Sequence, residues 1–528
     1  MFTCKVFNRL FFCGMLPFAL LIIVVALLAA PSQAANFPLE IINIKPAGTG
    51  SPAIPATNRI FRAYPGIEYN VRAAVIGGDY PYVYKLSNAP AGMTIKPTTG
   101  EISWPNPQAD SGTITLSVTD SENTTVSTTW YIMVTINGFL FVDASYSGPE
   151  TGTITQPFSS IQSLLNNTTA ANNPDIVYFR KGNYTLVKFG STPAENIGTN
   201  LKTSALTWIG YPGELVDING DNRLIGSLLG VYFDNLILHD FHDYGILVAN
   251  NIPYQTVRRC KFFRLVSSTS INNNQGFIFT SHAADIGMYL VIQDNEFSHF
   301  AGGSAIGSLY YTQKALLEDN YIHDPDGVGL TGICNGISPK YHTDYMTIRH
   351  NRVIMPTVGA PFGAANASMV GSQNMEVSYN HFVSNINGSN ASFATALNVG
   401  ATEKPTGAFF FHHNTLEGNI LFMYITGGNC SGTTGGPWNI NNNVLINPNT
   451  TNGGHYYTND YISFNWGANM AANPNGCIND VDNLKGTPAD NIIDTEGNLT
   501  TGYLTYVGTH GYQIGLPAPK MIKVEVKP

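Results

Sequence analysis

"QDNEFSHF" (residues 293–300), "EDNYIHDP" (318–325) and "RHNRVIMP" (349–356) are three versions of one phrase. Each carries an Asn, an apolar residue two places later, and another three places earlier. The phrase extends in both directions through Asn235, Cys260, Asn295, Asn320, Asn351, Asn380, Asn414 and Asn443. Two places on come Ile237, Phe262, Phe297, Ile322, Val353, Phe382, Leu416 and Leu445. Three places back come Tyr232, Val257, Ile292, Leu317, Ile348, Val377, Phe411 and Ile440. The positions two back are mostly polar, among them Arg258, Gln293, Glu318 and Arg349.

This is the two-residue alternation of a strand, broken by a bend at the Asn. One coil of a parallel β-helix repeats in this way. Asn tolerates a bend and hydrogen-bonds locally. Stacked at about 4.8 Å per coil, its amide also bonds its counterparts above and below. Compact Cys260 takes its place in one coil. The unequal intervals predict loops of different length on successive coils, and function concentrates in loops.

The position four past the ladder reads His239, Arg264, His299 and Asp324 on consecutive coils. In register, neighbours stand about 5 Å apart, close enough to couple their titrations. Strict alternation aims this position inward, which would make a buried charge ladder. Gly302 and Pro325 mark strand ends nearby, which favours a loop mouth. His323, one place earlier, is expected to point outward. Asp240, His242, Asp243 and Asp326 follow directly in the loops, and Lys340, His342 and Asp344 sit in the long 320–351 coil.

Two chemistries suit such a surface. Glycoside hydrolysis needs two carboxyls flanking the bond. β-Elimination from a uronate needs a base for the C5 proton and a cation on the carboxylate, often calcium. The catalytic candidates are Asp324, Asp326, His299, His323, Lys340 and Asp243; the substrate-binding candidates are His239, Arg264, His342, Tyr457 and Trp466. A metal ligand set cannot be read, so calcium is an open cofactor.

Composition bounds the partners. The 528 residues are only 12% charged, with a net charge of −9, which excludes the basic surface nucleic acid requires. Lys5, Arg9, the apolar run 16–30 and "SQA" (32–34) read as a signal peptide over 1–34, so export is expected. No later stretch is apolar for long enough to cross a bilayer. Cys260, Cys334, Cys430 and Cys477 remain after cleavage; Cys430 with Cys477 is a possible bridge, with free thiols the alternative.

Residues 35–59, with four prolines, read as an extended linker. Residues 60–136 alternate and turn repeatedly. The order in "APAGMTIKPTTGEISWPNP" (89–107), followed by "VTDSEN" (118–123), resembles the Ig-like, cadherin-like domains of bacterial surface proteins. That resemblance implies a small β-sandwich in a spacer or accessory role, with Asp120 and Glu122 either calcium ligands or turn residues. "FLFVDASYSGPETGTITQPFSSIQSLL" (139–165), "DIVYFRKGNYTL" (175–186) and "WIGYPGELVDING" (208–220) resemble the opening of right-handed parallel β-helix proteins of the pectin-lyase-like superfamily. The resemblance implies an all-β chain whose β-helix fills 139–528 and acts on extracellular or cell-wall polysaccharide. Neither the paired-Asp signature of polygalacturonases nor an Arg signature of pectate lyases occurs, so no catalytic motif transfers. The expectation is a secreted or cell-surface bacterial monomer, a polysaccharide lyase or glycoside hydrolase, or alternatively a non-catalytic carbohydrate-binding or adhesive protein.

Overall fold

The repeated phrase folds as a coil. The computed structural model describes residues 37–167, 176–187, 206–221, 225–227, 230–242, 244–248, 252–266, 276–280, 287–300, 303–326, 334–339, 342–355, 360–362, 373–383, 395–399, 409–417, 421–425, 438–441, 443–446, 455–457, 463–465, 478–481 and 484–486. The expected signal peptide, Cys430 and Cys477 lie outside them.

Each coil gives one strand to a first parallel sheet, turns at the ladder, and continues into a second. The first sheet runs from Phe139–Val142 through Val231–Asp234, Thr256–Arg258, Val291–Gln293, Thr312–Glu318 and Asp344–Arg349 to Ile478–Val481. The second runs from Gly182–Thr185 through Ile237–His242, Lys261–Val266, Glu296–Phe300, Tyr321–His323 and Arg352–Ile354 to Leu484–Gly486. Successive coils pair in parallel with matched register, as in Phe262↔Phe297↔Ile322↔Val353↔Phe382. These residues fill the interior with Val257, Ile292, Leu317, Ile348 and Val377. The rings of Phe262 and Phe297 stack at 4.9 Å. The all-β parallel β-helix expected from the repeat is the architecture observed.

The ladder bonds as a chain. Asn295 Nδ2 donates to Asn320 Oδ1 at 2.9 Å, Asn320 to Asn351 at 2.9 Å, Asn351 to Asn380 at 2.9 Å, Asn380 to Asn414 at 2.9 Å and Asn414 to Asn443 at 3.0 Å. Each oxygen also accepts the backbone N–H of the preceding coil, including that of Cys260. Two details differ from the sequence reading. The bend is taken by the residue before the ladder: Arg259, Asp294, Asp319, His350, Tyr379 and His413 have φ of 50, 59, 56, 56, 57 and 54°. The ladder Asn is freed from the bend and turns its amide inward. The first coil also shifts by one: Phe233 pairs with Val257 and Ile237 with Lys261, which places Leu236 beside Cys260. Asn235, at φ 61°, is that coil's bend residue.

The Ig-like module is built from antiparallel strands Tyr69–Arg72 with Glu101–Trp104 and Thr94–Ile95, and Val83–Ser87 with Thr113–Thr119 and Thr125–Tyr131. The stretch read as a linker belongs to it from Phe37 onward. Glu40–Ile41 pairs with Val75–Ile76, and Ile42, Ile44 and Ile54 are fully buried. Prolines set that segment's course without keeping it in solvent.

This module lies on the outer face of the first sheet. Arg72 reaches Asp294 at 2.6 Å, Asp319 at 2.6 Å and Glu318 at 3.1 Å. Arg258 Nη2 donates to Asn70 Oδ1 at 2.6 Å and to Asp234 Oδ2 at 3.0 Å; Arg349 donates to Glu318 Oε1 at 2.6 Å and to the Tyr82 hydroxyl at 2.9 Å. Tyr254, Tyr289, Val291 and Leu316 of the helix join the module's own hydrophobic core. The outward polar positions two before the ladder are therefore buried under a second layer.

Candidate active site

With the module on the first sheet, the second sheet keeps an outward face that, among the described residues, is exposed at His299 and Asp324 and buried at Ser298, His381 and Thr415. Its inward residues alternate with outward ones: Tyr321, His323 and Arg352 are half-buried, whereas Ile322 and Val353 are completely buried. Asp240, Arg264, His299 and Asp324 all take left-handed backbone, with φ of 59, 58, 53 and 47°. This second bend breaks the alternation that would have aimed the column inward. Strand register puts these four on consecutive coils, and the shifted first coil replaces His239 by Asp240 in the column. His299 and Asp324 side chains are 53% and 65% exposed, which rules out a buried charge ladder.

At one end of this face His239 stands between two carboxylates, with Nε2 2.5 Å from Asp217 Oδ1 and Nδ1 2.6 Å from Asp240 Oδ2. Arg264 grips Asp240 through Nε at 2.5 Å and Nη2 at 2.8 Å. Burial alone would lower the His239 pKa, but Asp217 and Asp240 outweigh it and hold it above the ordinary value. The Arg264 hydrogen bond holds Asp240 below the usual carboxylate range, against its partial burial. Phe263 stacks on His239 at 4.8 Å, and the Arg264 guanidinium carbon lies 4.5 Å from the Phe263 ring centre.

Further along, Lys261 Nζ lies 2.7 Å from Glu296 Oε1, and His323 bridges Glu296 and Asp324 at 3.4 and 2.8 Å. Burial raises the Glu296 pKa, but His323 and Lys261 reverse that and leave it lowered. Tyr321 stacks on His323 at 4.2 Å. His299 Nδ1 is 3.0 Å from Asp326 Oδ1. An Asp that accepts the Nδ1 proton leaves Nε2 as the acceptor, the arrangement of an oriented general base.

The structure thus gathers His239, Arg264, His299, His323, Asp324 and Asp326 on one face. It places His342 elsewhere, stacked on Tyr311 at 5.0 Å beside the first sheet. Tyr457 belongs to the strand His455–Tyr457 of a separate four-stranded sheet. Asp243, Lys340 and Trp466 lie outside the described residues. Lys261, Glu296, Tyr321 and Arg352 belong to the face and escaped the sequence reading. Counting one past the ladder, the first outward position, names all four.

Glu318, Asp319 and His350 hold ligand atoms within 4.8 Å of one another, the one group of metal-ligand type among the described residues. Arg72 already supplies its cation. Asp120 closes a turn by accepting the Thr124 N–H at 2.7 Å. A groove of about 650 Å³ belongs to the Ig-like module, lined by Phe61, Trp130, Tyr131 and Met133, and holds none of the acid/base groups described above.

Residues 52–136 match the family model described as "Putative Ig domain". The chain matches none of the curated protein sequences. Among solved structures it is similar to a "putative alpha-galactosidase" from Bacteroides fragilis, at 16% identity and TM-score 0.14, covering 24% of this chain and 26% of that one. It therefore spans about a quarter of that protein's length. It is also similar to a rhamnogalacturonan lyase, at 12% identity and TM-score 0.36, covering 71% of this chain and 99% of that one. A third likeness is to a PL6-family alginate lyase, at 11% identity and TM-score 0.27, covering 70% and 59%. No residue role passes from these proteins to this chain.

Proposed function

We propose that the chain is an exported polysaccharide lyase that cleaves an acidic polymer by β-elimination on the outward face of the second sheet. The observation that carries this reading is the outward column Asp240, Arg264, His299 and Asp324, flanked by His239 and His323. It sets carboxylates, imidazoles and a guanidinium in a row at coil spacing, about 4.8 Å. An extended polymer laid along such a row meets one group per coil. His299, oriented by Asp326, takes the C5 proton at Nε2; the electron pair forms the C4–C5 double bond as the C4–O bond breaks. His299, protonated at Nε2 by that transfer, then returns the proton to the leaving oxygen. Hydrolysis fits less well. It requires a carboxyl held protonated, and the two carboxyls of this face whose pKa is shifted, Asp240 and Glu296, are both held down.

A second reading has its own support. The carboxylates of this face already hold cationic or imidazole partners, which suits a surface that binds sugar without chemistry. Incubation of the mature protein with a panel of uronate polymers, with and without calcium, separates the two. A lyase produces absorbance near 235 nm, and His299→Gln lowers it by about 10²-fold or more with the melting temperature unchanged. Retention on every acidic polymer with no absorbance, or new reducing ends alone, overturns the lyase reading.

A further inference from the structure

Arg352 is the outward residue of its coil, next in register to Tyr321 on one side and His381 on the other. Lys261 and Arg264 on this face are each ion-paired. Arg352 has no carboxylate partner among the described residues, and its Nε is buried without a hydrogen bond. Its guanidinium carbon lies 5.3 Å from the centre of the Tyr321 ring, which is itself stacked on His323. Stacking holds the planar fork in place at little further entropic cost. A fixed guanidinium with unspent donors beside two aromatic rings matches a planar anion on a sugar.

We infer that Arg352 and Tyr321 form a subsite for the carboxylate of a uronic acid unit, one to two coils from His299. The inference rests on the lyase reading for its substrate class, but its test is binding. Arg352 grips the carboxylate through its terminal Nη N–H groups, and the Tyr321–His323 stack carries the sugar's apolar edge. The substrate class is therefore a polymer of free uronic acids; methyl esterification removes the anion the subsite recognises.

Calorimetric titration with oligogalacturonate, oligoalginate and fully methyl-esterified oligogalacturonate tests this, each at two salt concentrations. The expected result is salt-sensitive binding of at least one free-acid oligomer. Arg352→Gln weakens it by about tenfold or more, Arg352→Lys by less, and both variants keep the parent's melting temperature. The methyl ester binds weakly, with no difference between parent and variants. Equal affinity of Arg352→Gln and parent, equal binding of ester and free acid, or no binding of any free-acid oligomer overturns the subsite. Binding lost in Arg352→Gln with no 235 nm product from the parent overturns the lyase reading and leaves the subsite standing. Product formed at an unchanged KM by Arg352→Gln does the reverse.

Discussion

Asn351 Oδ1 accepts two N–H groups from Asn320 at 3.1 and 2.9 Å, and its own amide donates to Asn380 Oδ1 at 2.9 Å and to Leu317 O at 3.0 Å. Asn351→Leu is close in size but leaves those donors and acceptors buried without partners. At about 1–3 kcal/mol per orphaned group, the loss exceeds that of any surface change; a fall in unfolding free energy under about 1 kcal/mol in urea would show that the ladder is dispensable. The His239 cluster gives a pH test. His239 has a raised folded pKa, so its contribution is complete below the unfolded value of about 6.5 and disappears as pH rises through the folded one. Asp240 has a lowered folded pKa, so its contribution holds above about 3.9 and disappears as pH falls through the folded value. Asp217→Asn should therefore lower the melting temperature near pH 5–6 and converge with the parent once the pH has passed the raised folded pKa and His239 is neutral in both. A difference independent of pH contradicts the assignment. The ladder was legible because a residue that bonds its own kind must recur. The bend was not, since Arg, Asp, His and Tyr fill it without the usual Gly or Asn signature. Asn235 misled because Tyr232 and Phe233 are both apolar, so alternation fits two registers.

Between elements, the seam of the Ig-like module and the first sheet is held by charge as much as by apolar contact. Arg72 is the one cation shared by Asp294, Glu318 and Asp319. Arg72→Met leaves Asp294 without its cation, and Glu318 and Asp319 with only Arg349 and His350, and should cost about 3–5 kcal/mol, read by chemical denaturation. A loss under about 1 kcal/mol would mean that water enters the seam and solvates the carboxylates. Asp79 offers a milder probe. Its pKa is pushed up to about 6, first by burial, then by Glu122, Asp120 and Glu376, with His412 pulling the other way. A raised carboxyl stabilises the fold below its unfolded value near 3.9, and that contribution is lost as pH rises through about 6. Asp79→Asn should thus raise the melting temperature at pH 7 and leave it nearly unchanged at pH 4. The seam was illegible in the sequence: Arg72 and Asp294 are 222 residues apart, and nothing in either neighbourhood names the other. Of the outward face, the column from Arg264 to Asp324 was legible from spacing alone. Lys261, Glu296, Tyr321 and Arg352 were missed because a strand's first outward residue has no composition of its own.

At the scale of the molecule, the module behaves as a second layer of the helix. Arg258 and Arg349 each keep only 1% of their surface exposed beneath it, and Tyr254, Tyr289, Val291 and Leu316 share its core. Most contacts between domains in one chain are wetter and allow relative motion. Here, removing the module would expose Asp234, Arg258, Glu318 and Arg349 together with an apolar strip, while the module alone would lose the carboxylates that balance Arg72. Neither half keeps its buried groups satisfied without the other, so they should unfold together. The full chain is expected to show one calorimetric transition spanning both, with Arg72→Met lowering the whole peak. A fragment of residues 37–136 should melt well below it, and lower still when it starts at residue 60, because Glu40–Ile41 then no longer pairs with Val75–Ile76. Two resolved transitions in the full chain, the first coinciding with the isolated 37–136 fragment, would make the module an independent spacer and the seam a contact without energetic weight.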